Sequence, residues 1–178
     1  YDDQFQHLVI DPVMVSTSGC RLMQEDALDV FITELLPLAT LLTPNIPEAE
    51  ILAGMKIENA EDIKAAAAAI CKLGCRYVLI KGGHFDGAEK VDYLFEDGKQ
   101  KTSYRGISVN TRNTHGTGCT LSSAITSYLA REMDMNTAIA MAKTYLSGAI
   151  LAGKDIKIGE GHGPVNHFYE PKSLFTKS

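Results

Sequence analysis

The feature of this sequence that most restricts its fold is the alternation of short apolar runs with stretches of helical periodicity. Apolar runs occur at residues 8–10 and 77–80, and a shorter one lies at 40–43. Residues 24–36 repeat apolar side chains at the spacing of an amphipathic helix, which Pro37 would close. Strands that alternate with helices predict an α/β fold with a mostly parallel central sheet flanked by helices.

Capping and helix-breaking residues set the expected bounds of the next two helices. Pro47 opens a helix that ends at Gly54, because proline suits a first turn and glycine suits a helix end. Asn59, with Asp62 three residues later, caps a helix that stops at Gly74.

The second half of the chain predicts a hairpin followed by two long helices. Strands at 91–95 and 102–105 are joined around an Asp-Gly pair, which is a strong hairpin signal. Helices follow at 117–132 and 136–152, and Asn136 is the expected cap of the second.

Length and composition bound the class of protein. The chain has 178 residues and fits one domain, 1–178. With 17 Lys and Arg against 22 Asp and Glu, its net charge of −5 lacks the footprint of a nucleic-acid binder. No apolar run approaches the roughly 20 residues of a membrane span, so we expect no membrane partner. The four cysteines have no framework spacing and indicate reduced thiols in a cytoplasmic protein.

Four junctions carry polar or glycine-rich sequence where an element ends or begins. Asp11, residues 43–45 and residues 81–83 each follow an apolar run, and residues 113–119 open a helix. In open α/β sheets, ligands bind beyond the carboxyl ends of the strands. We therefore expect these four junctions to converge on one site.

The segment 113–120, NTHGTGCT, carries the strongest chemical signal. Gly116 and Gly118 flank Thr117 at the start of a helix, where unpaired amides and the helix dipole favour an anion such as phosphate. Cys119 lies in the first turn, where the same field favours the thiolate. The alternative is a glycine-rich turn with a buried cysteine.

Four further residues suit a nucleotide and its metal. Asn45 and Glu48 offer hard oxygen ligands for Mg²⁺ at a strand-to-helix junction, although a glutamate there is also ordinary capping chemistry. Asp11, at the end of a buried strand, needs a partner or a metal. Lys81 could reach a nucleotide phosphate as a point charge, or lie solvated beside a turn.

Other cysteines and histidines indicate no site. No GxxxxGK[ST] motif is present, which excludes a P-loop enzyme. We interpret Cys71 and Cys75 as core or surface thiols and Cys20 as a surface thiol. His162 and His167 lack the cysteine or acidic partners of a zinc site.

Taken together, these segments resemble the hydroxymethylpyrimidine and phosphomethylpyrimidine kinase family of thiamin biosynthesis, within the ribokinase-like superfamily. The motifs are DPVM at 11–14, TPNIPEAE at 43–50, LIKGGH at 79–84, NTHGTGCTLS at 113–122 and GHGPVNH at 161–167. The resemblance covers nearly the whole chain in the family's order. It implies a ribokinase-like α/β domain and phosphoryl transfer from MgATP to 4-amino-5-hydroxymethyl-2-methylpyrimidine, then to its monophosphate.

The resemblance also implies roles for single residues. Cys119 corresponds to the family's catalytic base, and Gly116, Thr117 and Gly118 correspond to its anion hole. Thr117 also belongs to the ATP side of the site, and Lys143, on the last long helix, is expected to approach the acceptor's phosphate.

The remaining correspondences concern the nucleotide and the metal. Asn45 and Glu48 match the family's metal and phosphate motif. Asp11 matches an acid near the triphosphate, and Lys81 matches an ATP-side residue.

The sequence departs from the family in lacking its N-terminal segment. Family members carry a glycine-rich motif and several strands there, which supply much of the pyrimidine pocket and the contacts of a homodimer. We therefore expect the 178 residues to be the C-terminal two-thirds of a longer kinase, and weakly active or inactive alone.

Three alternatives remain at this point. A pyridoxine or pyridoxal kinase of the same superfamily shares the glycine-threonine-glycine-cysteine turn. A hydrolase could use Cys119 as nucleophile with His115, although no orienting acid is evident. A non-enzymatic module could bind nucleotide or associate with a partner.

Overall fold

The computed structural model describes residues 5–14, 22–83, 91–106 and 109–173. Our interpretation of Cys20, and the histidine that ends the LIKGGH motif, lie outside the described residues.

The described residues form five strands and five α-helices. The strands are β1 Val9–Ile10, β2 Leu41–Leu42, β3 Tyr77–Gly83, β4 Val91–Glu96 and β5 Lys99–Arg105. The helices are α1 Glu25–Val30, α2 Ile46–Ala53, α3 Ala60–Cys71, α4 Thr117–Leu129 and α5 Met135–Gly153. No helix in the described part of the chain is long and apolar enough to cross a membrane.

The strands form one sheet in the order β1-β2-β3-β4-β5. β1, β2 and β3 are parallel, whereas β4 and β5 complete the sheet as an antiparallel hairpin. The hairpin turns at Asp97 and Gly98, with φ angles of 49° and 75° that suit the mirror-image turn of a two-residue loop. The predicted α/β fold and the predicted hairpin are both confirmed.

Helices cover both faces of the sheet. Successive residues of a strand point to opposite faces, so Leu41 packs in the core beneath α4 and α5 while Leu42 packs in the core with α2 and α3. Both leucines are fully buried. The central strands therefore read as continuous apolar runs because they have no solvent-facing side.

The predicted cap of the third helix and the predicted end of the second helix are confirmed. Asn45 and Glu48 form a reciprocal capping box at the start of α2, and Asn59 and Asp62 form another at the start of α3. Gly54 ends α2 with a left-handed φ of 65°.

Three predicted boundaries were wrong for local reasons. Asp134, not Asn136, caps α5, because its carboxylate accepts a hydrogen bond from the Thr137 amide at 3.1 Å. α4 ends at Leu129 rather than at 132, and Glu132 has a φ of 64° that no helix continues through. The first helix was expected to close at Pro37, but α1 ends at Val30 and is followed by a π-helical stretch, Phe31–Leu35, and a 3₁₀ turn, Leu36–Leu38, that contains this proline.

Candidate functional site

The ends of β1 and β2 meet at one polar contact. Asp11 follows β1 and Thr43 follows β2, and the Thr43 hydroxyl donates to Asp11 Oδ1 at 3.0 Å. Ser122, in the second turn of α4, places its Oγ 3.1 Å from Thr43 Oγ1. β1 and β2 therefore end at the same edge of the sheet, and the contact of Ser122 with Thr43 attaches α4 to that edge.

Lys81 on β3 adds a cation to this edge. Its Nζ lies 2.8 Å from Asp11 Oδ1, and both side chains are only about one-sixth exposed, at 16% and 15%. A Cβ atom added to Gly118 would lie 3.3 Å from Asp11 Oδ2 and 3.5 Å from Lys81 Nζ. The backbone of α4 thus approaches the ion pair closely because position 118 has no side chain.

Glu48 is the second carboxylate of the site and is 3% exposed. Its Oε2 accepts the Asn45 amide at 2.9 Å, and Asn45 Oδ1 accepts the Glu48 amide at 2.9 Å. Burial raises the pKa of Glu48 above its ordinary 4.5, although the Asn45 amide and the charge of Lys81 act in the opposite direction. The charge of Asp11 contributes to the rise, which places the two carboxylates in one electrostatic environment.

The start of α4 is built as a donor site for an anion. Gly116 caps it with a left-handed φ of 81°, a conformation that residues with a side chain rarely adopt. The Thr120 amide makes an i→i−4 bond to the Gly116 carbonyl at 2.9 Å. The amides of Gly118 and Cys119 precede it and are among the donors that helix geometry leaves without an intrahelical acceptor.

Cys119 is exposed and lies on a groove of about 750 Å³. The groove runs between α4, α5 and the segment that follows α5. Its walls include Ser123, Tyr128, Tyr145, His167 and Tyr169. The thiol is therefore accessible to a small molecule, whereas its neighbour Gly118 faces the ion pair.

Comparisons with known proteins agree with this arrangement. A family model described as phosphomethylpyrimidine kinase matches residues 1–166. The chain belongs to this family.

Two relatives give the extent of the similarity, one compared by sequence and one compared by structure. A hydroxymethylpyrimidine/phosphomethylpyrimidine kinase of Rhizobium meliloti (strain 1021) is 46% identical over 162 residues, which is 90% of this chain and 60% of that protein. The crystal structure of phosphomethylpyrimidine kinase from Clostridium difficile 630 is 44% identical, with a TM-score of 0.67 over 81% of this chain and 57% of that one.

A pyridoxal kinase from Staphylococcus aureus, solved in complex with AMP-PCP, also matches. It is 34% identical, with a TM-score of 0.77 over 92% of this chain and 59% of that one. These likenesses confirm the ribokinase-like α/β fold. The chain spans about 60% of the length of the single-function kinases it matches.

The phosphomethylpyrimidine kinase motifs occupy the site as the sequence predicted. Asp11, Asn45, Glu48, Lys81 and residues 116–119 all lie at the carboxyl edge of the parallel strands, so the four junctions do converge. Their individual roles in binding and catalysis stay predictions.

Lys143 of α5 is joined to the site through a carboxylate on β4. Its ammonium binds Oδ2 of Asp92, a carboxylate on β4. Asp92 Oδ1 accepts the amide of Gly82 at 2.8 Å, which links the pair to the residue after Lys81. The role of Lys143 at an acceptor phosphate also stays a prediction.

Sequence reasoning missed several residues of this site. Asp92 is an acid inside an otherwise apolar strand, and that charge was a usable signal because a buried carboxylate requires a partner. Thr43 and Ser122 stand inside the quoted motifs, but their contact was missed because it joins positions 79 residues apart.

The closing motif of the family, residues 161–167, packs against the start of α4. The His115 amide donates to the Gly163 carbonyl at 3.1 Å, and a side chain at Gly163 would overlap the Asn113 carboxamide. Asn113 in turn donates to the carbonyls of Gly153 and Ile156 at 2.7 and 2.6 Å. The motif is therefore a packing element that holds the loop before α4.

The two histidines of this motif have polar partners within the chain. His162 Nδ1 lies 3.1 Å from the Arg112 carbonyl, and His167 Nε2 lies 3.0 Å from the Thr120 hydroxyl. Within the described ranges, no group of three or more His, Cys, Asp or Glu side chains is gathered as a metal site.

The donor atoms near Lys81 fit magnesium of the kind that binds with a nucleotide. Mg²⁺ keeps several waters and takes one or two carboxylates together with substrate phosphates, rather than a cage made by the protein. Asp11 and Glu48 supply two carboxylates in one environment, and Asn45 supplies a neighbouring amide oxygen. The site therefore matches this mode of binding in donor type and number.

Proposed function

We propose that the protein transfers the terminal phosphoryl group of ATP to the hydroxymethyl group of 4-amino-5-hydroxymethyl-2-methylpyrimidine and to that compound's monophosphate. The observation that carries this proposal is the meeting of the Asp11–Lys81 ion pair with the start of α4, beside the exposed Cys119. Family membership supports the same reaction.

The nucleotide phosphates are held by charge and by backbone donors. Lys81 provides a positive charge that Asp11 keeps in place at 2.8 Å. The amides of Gly118 and Cys119 and the helix dipole provide donors for charge that develops on the transferred group. Thr117, between the two glycines, belongs to the same turn. Positioning and charge stabilisation are the main demands of phosphoryl transfer.

The acceptor hydroxyl loses its proton during transfer, and Cys119 is the group placed to take it. It lies in the first turn of α4, and its exposed position lets a small acceptor reach the sulfur. Acid–base assistance of this kind contributes roughly 10²- to 10⁴-fold in rate.

Magnesium would be held by Asp11 and Glu48, with Asn45 beside them, through water and the nucleotide. When bound, the ion neutralises charge on the phosphates. Glu48 is pre-oriented for this by its bond from the Asn45 amide.

Location and assembly follow the same proposal. We place the protein in the cytoplasm, because the three described cysteines are free thiols. We place it in a homodimer on the strength of the family resemblance, and sedimentation of the purified protein measures this directly.

An ADP-release assay with three acceptors, run on a protein that carries these residues together with the additional segment of the longer relatives, tests the function. We expect turnover with the hydroxymethylpyrimidine and its monophosphate that exceeds turnover with pyridoxal. Pyridoxal is included because a pyridoxal kinase shares the fold at a TM-score of 0.77. A higher kcat/KM for pyridoxal would assign the protein to the B6 vitamers, and no turnover of any acceptor would overturn the kinase proposal.

A further inference from the structure

Asp92 is a buried carboxylate with no place in the function proposed above. It lies on β4, is 7% exposed, and faces both β3 and α5. Its Oδ1 accepts the Gly82 amide at 2.8 Å and its Oδ2 binds the ammonium of Lys143. A charge this deep is tolerated only with such partners, so the contacts are a built arrangement and not a chance surface pair.

Gly82 lies at an irregularity in the sheet. The pairing of β3 with β4 shifts register between Ile80 and Gly83, and Gly82 has a left-handed φ of 80°. A β-bulge of this kind re-aims the neighbouring side chains. The Asp92 carboxylate replaces the strand carbonyl that a regular ladder would offer to the Gly82 amide.

Lys81 is the neighbour that the bulge re-aims. Its amide donates to the Pro44 carbonyl at 2.8 Å, and its Nζ reaches Asp11 Oδ1. The backbone of Lys81 is thus held on one side by β2 and on the other by the Asp92–Gly82 contact.

We propose that Asp92 and Lys143 act as a positioning pair that fixes the Gly82 bulge and thereby holds Lys81 at the nucleotide phosphates. Lys143 neutralises the charge of the buried Asp92 and binds the second oxygen of its carboxylate. This inference rests on the proposed function for the role of Lys81. It assigns Lys143 to the nucleotide side through Asp92 instead of to the acceptor's phosphate.

A mutant cycle with Lys81 tests whether Asp92 acts through that lysine. AMP-PCP with Mg²⁺ serves as the probe, and calorimetry measures its affinity for the folded protein. We expect Asp92→Ala to weaken binding about tenfold, the scale of one lost charged hydrogen bond. In a Lys81→Met background the same change should have almost no further effect. Equal weakening in both backgrounds overturns the proposal.

Glu96→Gln is the matched control, because Glu96 lies on the same strand, at its opposite end. Its carboxylate binds Arg76 at 2.7 Å, well away from the Gly82 bulge. We expect Glu96→Gln to leave AMP-PCP affinity unchanged, whatever it does to stability. If Glu96→Gln lost as much AMP-PCP affinity as Asp92→Ala, the effect would come from a general disturbance of strand β4. That result would contradict the positioning role.

The double variant Asp92→Asn with Lys143→Met separates the two roles of Lys143. The asparagine oxygen can still accept the Gly82 amide and leaves no buried charge, so nucleotide affinity should return to within about threefold of wild type. The double variant could instead bind ATP normally and have a KM for the monophosphate acceptor above the wild-type value. In that case Lys143 serves the acceptor and the pair proposal is wrong.

Hydrogen exchange keeps the test independent of the proposed function. If the wild-type protein does not bind AMP-PCP, the function proposal fails, and amide exchange at Lys81 and Gly82 then decides the positioning role. Faster exchange at both amides in Asp92→Ala, relative to Glu96→Gln, supports it. Unchanged rates at both amides overturn it.

Discussion

Cys119 and Gly118 are adjacent in the first turn of α4 but face different surroundings. Gly118 faces the Asp11–Lys81 ion pair, where a side chain would crowd the Asp11 carboxylate at 3.3 Å. Cys119 faces the open groove. Successive positions of a helix are about 100° apart, so one turn presents backbone to the ion pair and a thiol to the groove.

Cys119→Ala should abolish most turnover and leave MgATP binding intact. The variant removes the proton acceptor but keeps the backbone amides of the turn, so kcat should fall by roughly 10²- to 10⁴-fold. Steady-state kinetics and nucleotide titration measure the two effects separately.

Ser123→Ala is the control for Cys119→Ala, because Ser123 lies one turn later and lines the same groove. It should keep its kcat. An unchanged kcat in Cys119→Ala would remove the thiol from the mechanism.

At the scale of elements, helix α2 carries two glutamates, Glu48 and Glu50, whose pKa values are shifted in opposite directions. Burial raises the pKa of Glu48, whereas the hydrogen bond from Lys56 lowers the pKa of Glu50. Glu48 therefore takes up a proton more readily in the folded state than in the unfolded state, and Glu50 does so less readily. One helix thus bears opposite contributions to the pH dependence of stability.

Glu48→Gln and Glu50→Gln should change stability with opposite pH slopes. Ionised Glu48 costs stability as pH rises through the interval between its unfolded and raised folded pKa, so Glu48→Gln should gain stability relative to wild type as pH rises above about 4.5. The Glu50 contribution is lost as pH falls from its unfolded pKa through its lowered folded pKa, so Glu50→Gln should lose stability relative to wild type as pH rises toward about 4.5 and keep a constant deficit above it. Urea unfolding at several pH values measures both, and parallel slopes would contradict this account.

The segment after α5 is a second element whose contacts reach the site. The Thr120 hydroxyl donates to the Gly116 carbonyl at 2.7 Å, so it must accept its other hydrogen bond from His167 Nε2 at 3.0 Å. The Tyr145 hydroxyl in turn donates to the His167 carbonyl at 3.1 Å. His167 therefore supports the left-handed turn at Gly116 from outside.

His167→Ala should lower kcat/KM about fivefold, because one hydrogen bond that steadies the turn contributes about 1 kcal/mol. His167→Gln retains an N–H donor and should recover part of the loss. His162→Ala, which removes the neighbouring contact to the Arg112 carbonyl, is the control. A loss in His162→Ala as large as that in His167→Ala would make the effect one of general packing.

At the scale of the whole molecule, the three described thiols differ in how deeply they are buried. Cys75 is 1% exposed, donates to the Tyr77 carbonyl at 3.0 Å, and burial raises its pKa to about 12. Burial also raises the pKa of the half-buried Cys71. Cys119 is exposed on the groove. The fold thus leaves one of these three thiols open to solvent.

Alkylation in a Cys20→Ser background should show one fast thiol in the native state and three equivalent thiols in urea. The fast thiol is Cys119, because thiolate character and access set the rate. Mass spectrometry after timed iodoacetamide treatment identifies it. Persistence of the fast phase in Cys119→Ala would contradict the assignment.

The sequence predicted the parts of the molecule that local chemistry determines. The capping box at Asn59, the hairpin around Asp97, and the meeting of strand ends all follow from residue preferences and from the rule for parallel sheets. The α5 cap was missed because Asp134 competes with Asn136 two residues away. The Asp92–Lys143 pair was missed because it joins a strand to a helix 51 residues later, a distance across which no local pattern operates.

The ion pair at the heart of the site also has a consequence for the order in which a newly made chain matures. Asp11 and Lys81 are 70 residues apart in sequence, and Gly118 comes later still. At about 5 to 20 residues per second on the ribosome, Asp11 waits roughly 5 to 20 seconds for the glycine that covers it. During that time the Asp11 side chain lacks its later partners, and the site is completed only after the parallel strands have paired. If the site binds ATP as we propose, capture of the nucleotide is therefore a late event in the biogenesis of the protein and reports that the earlier steps succeeded.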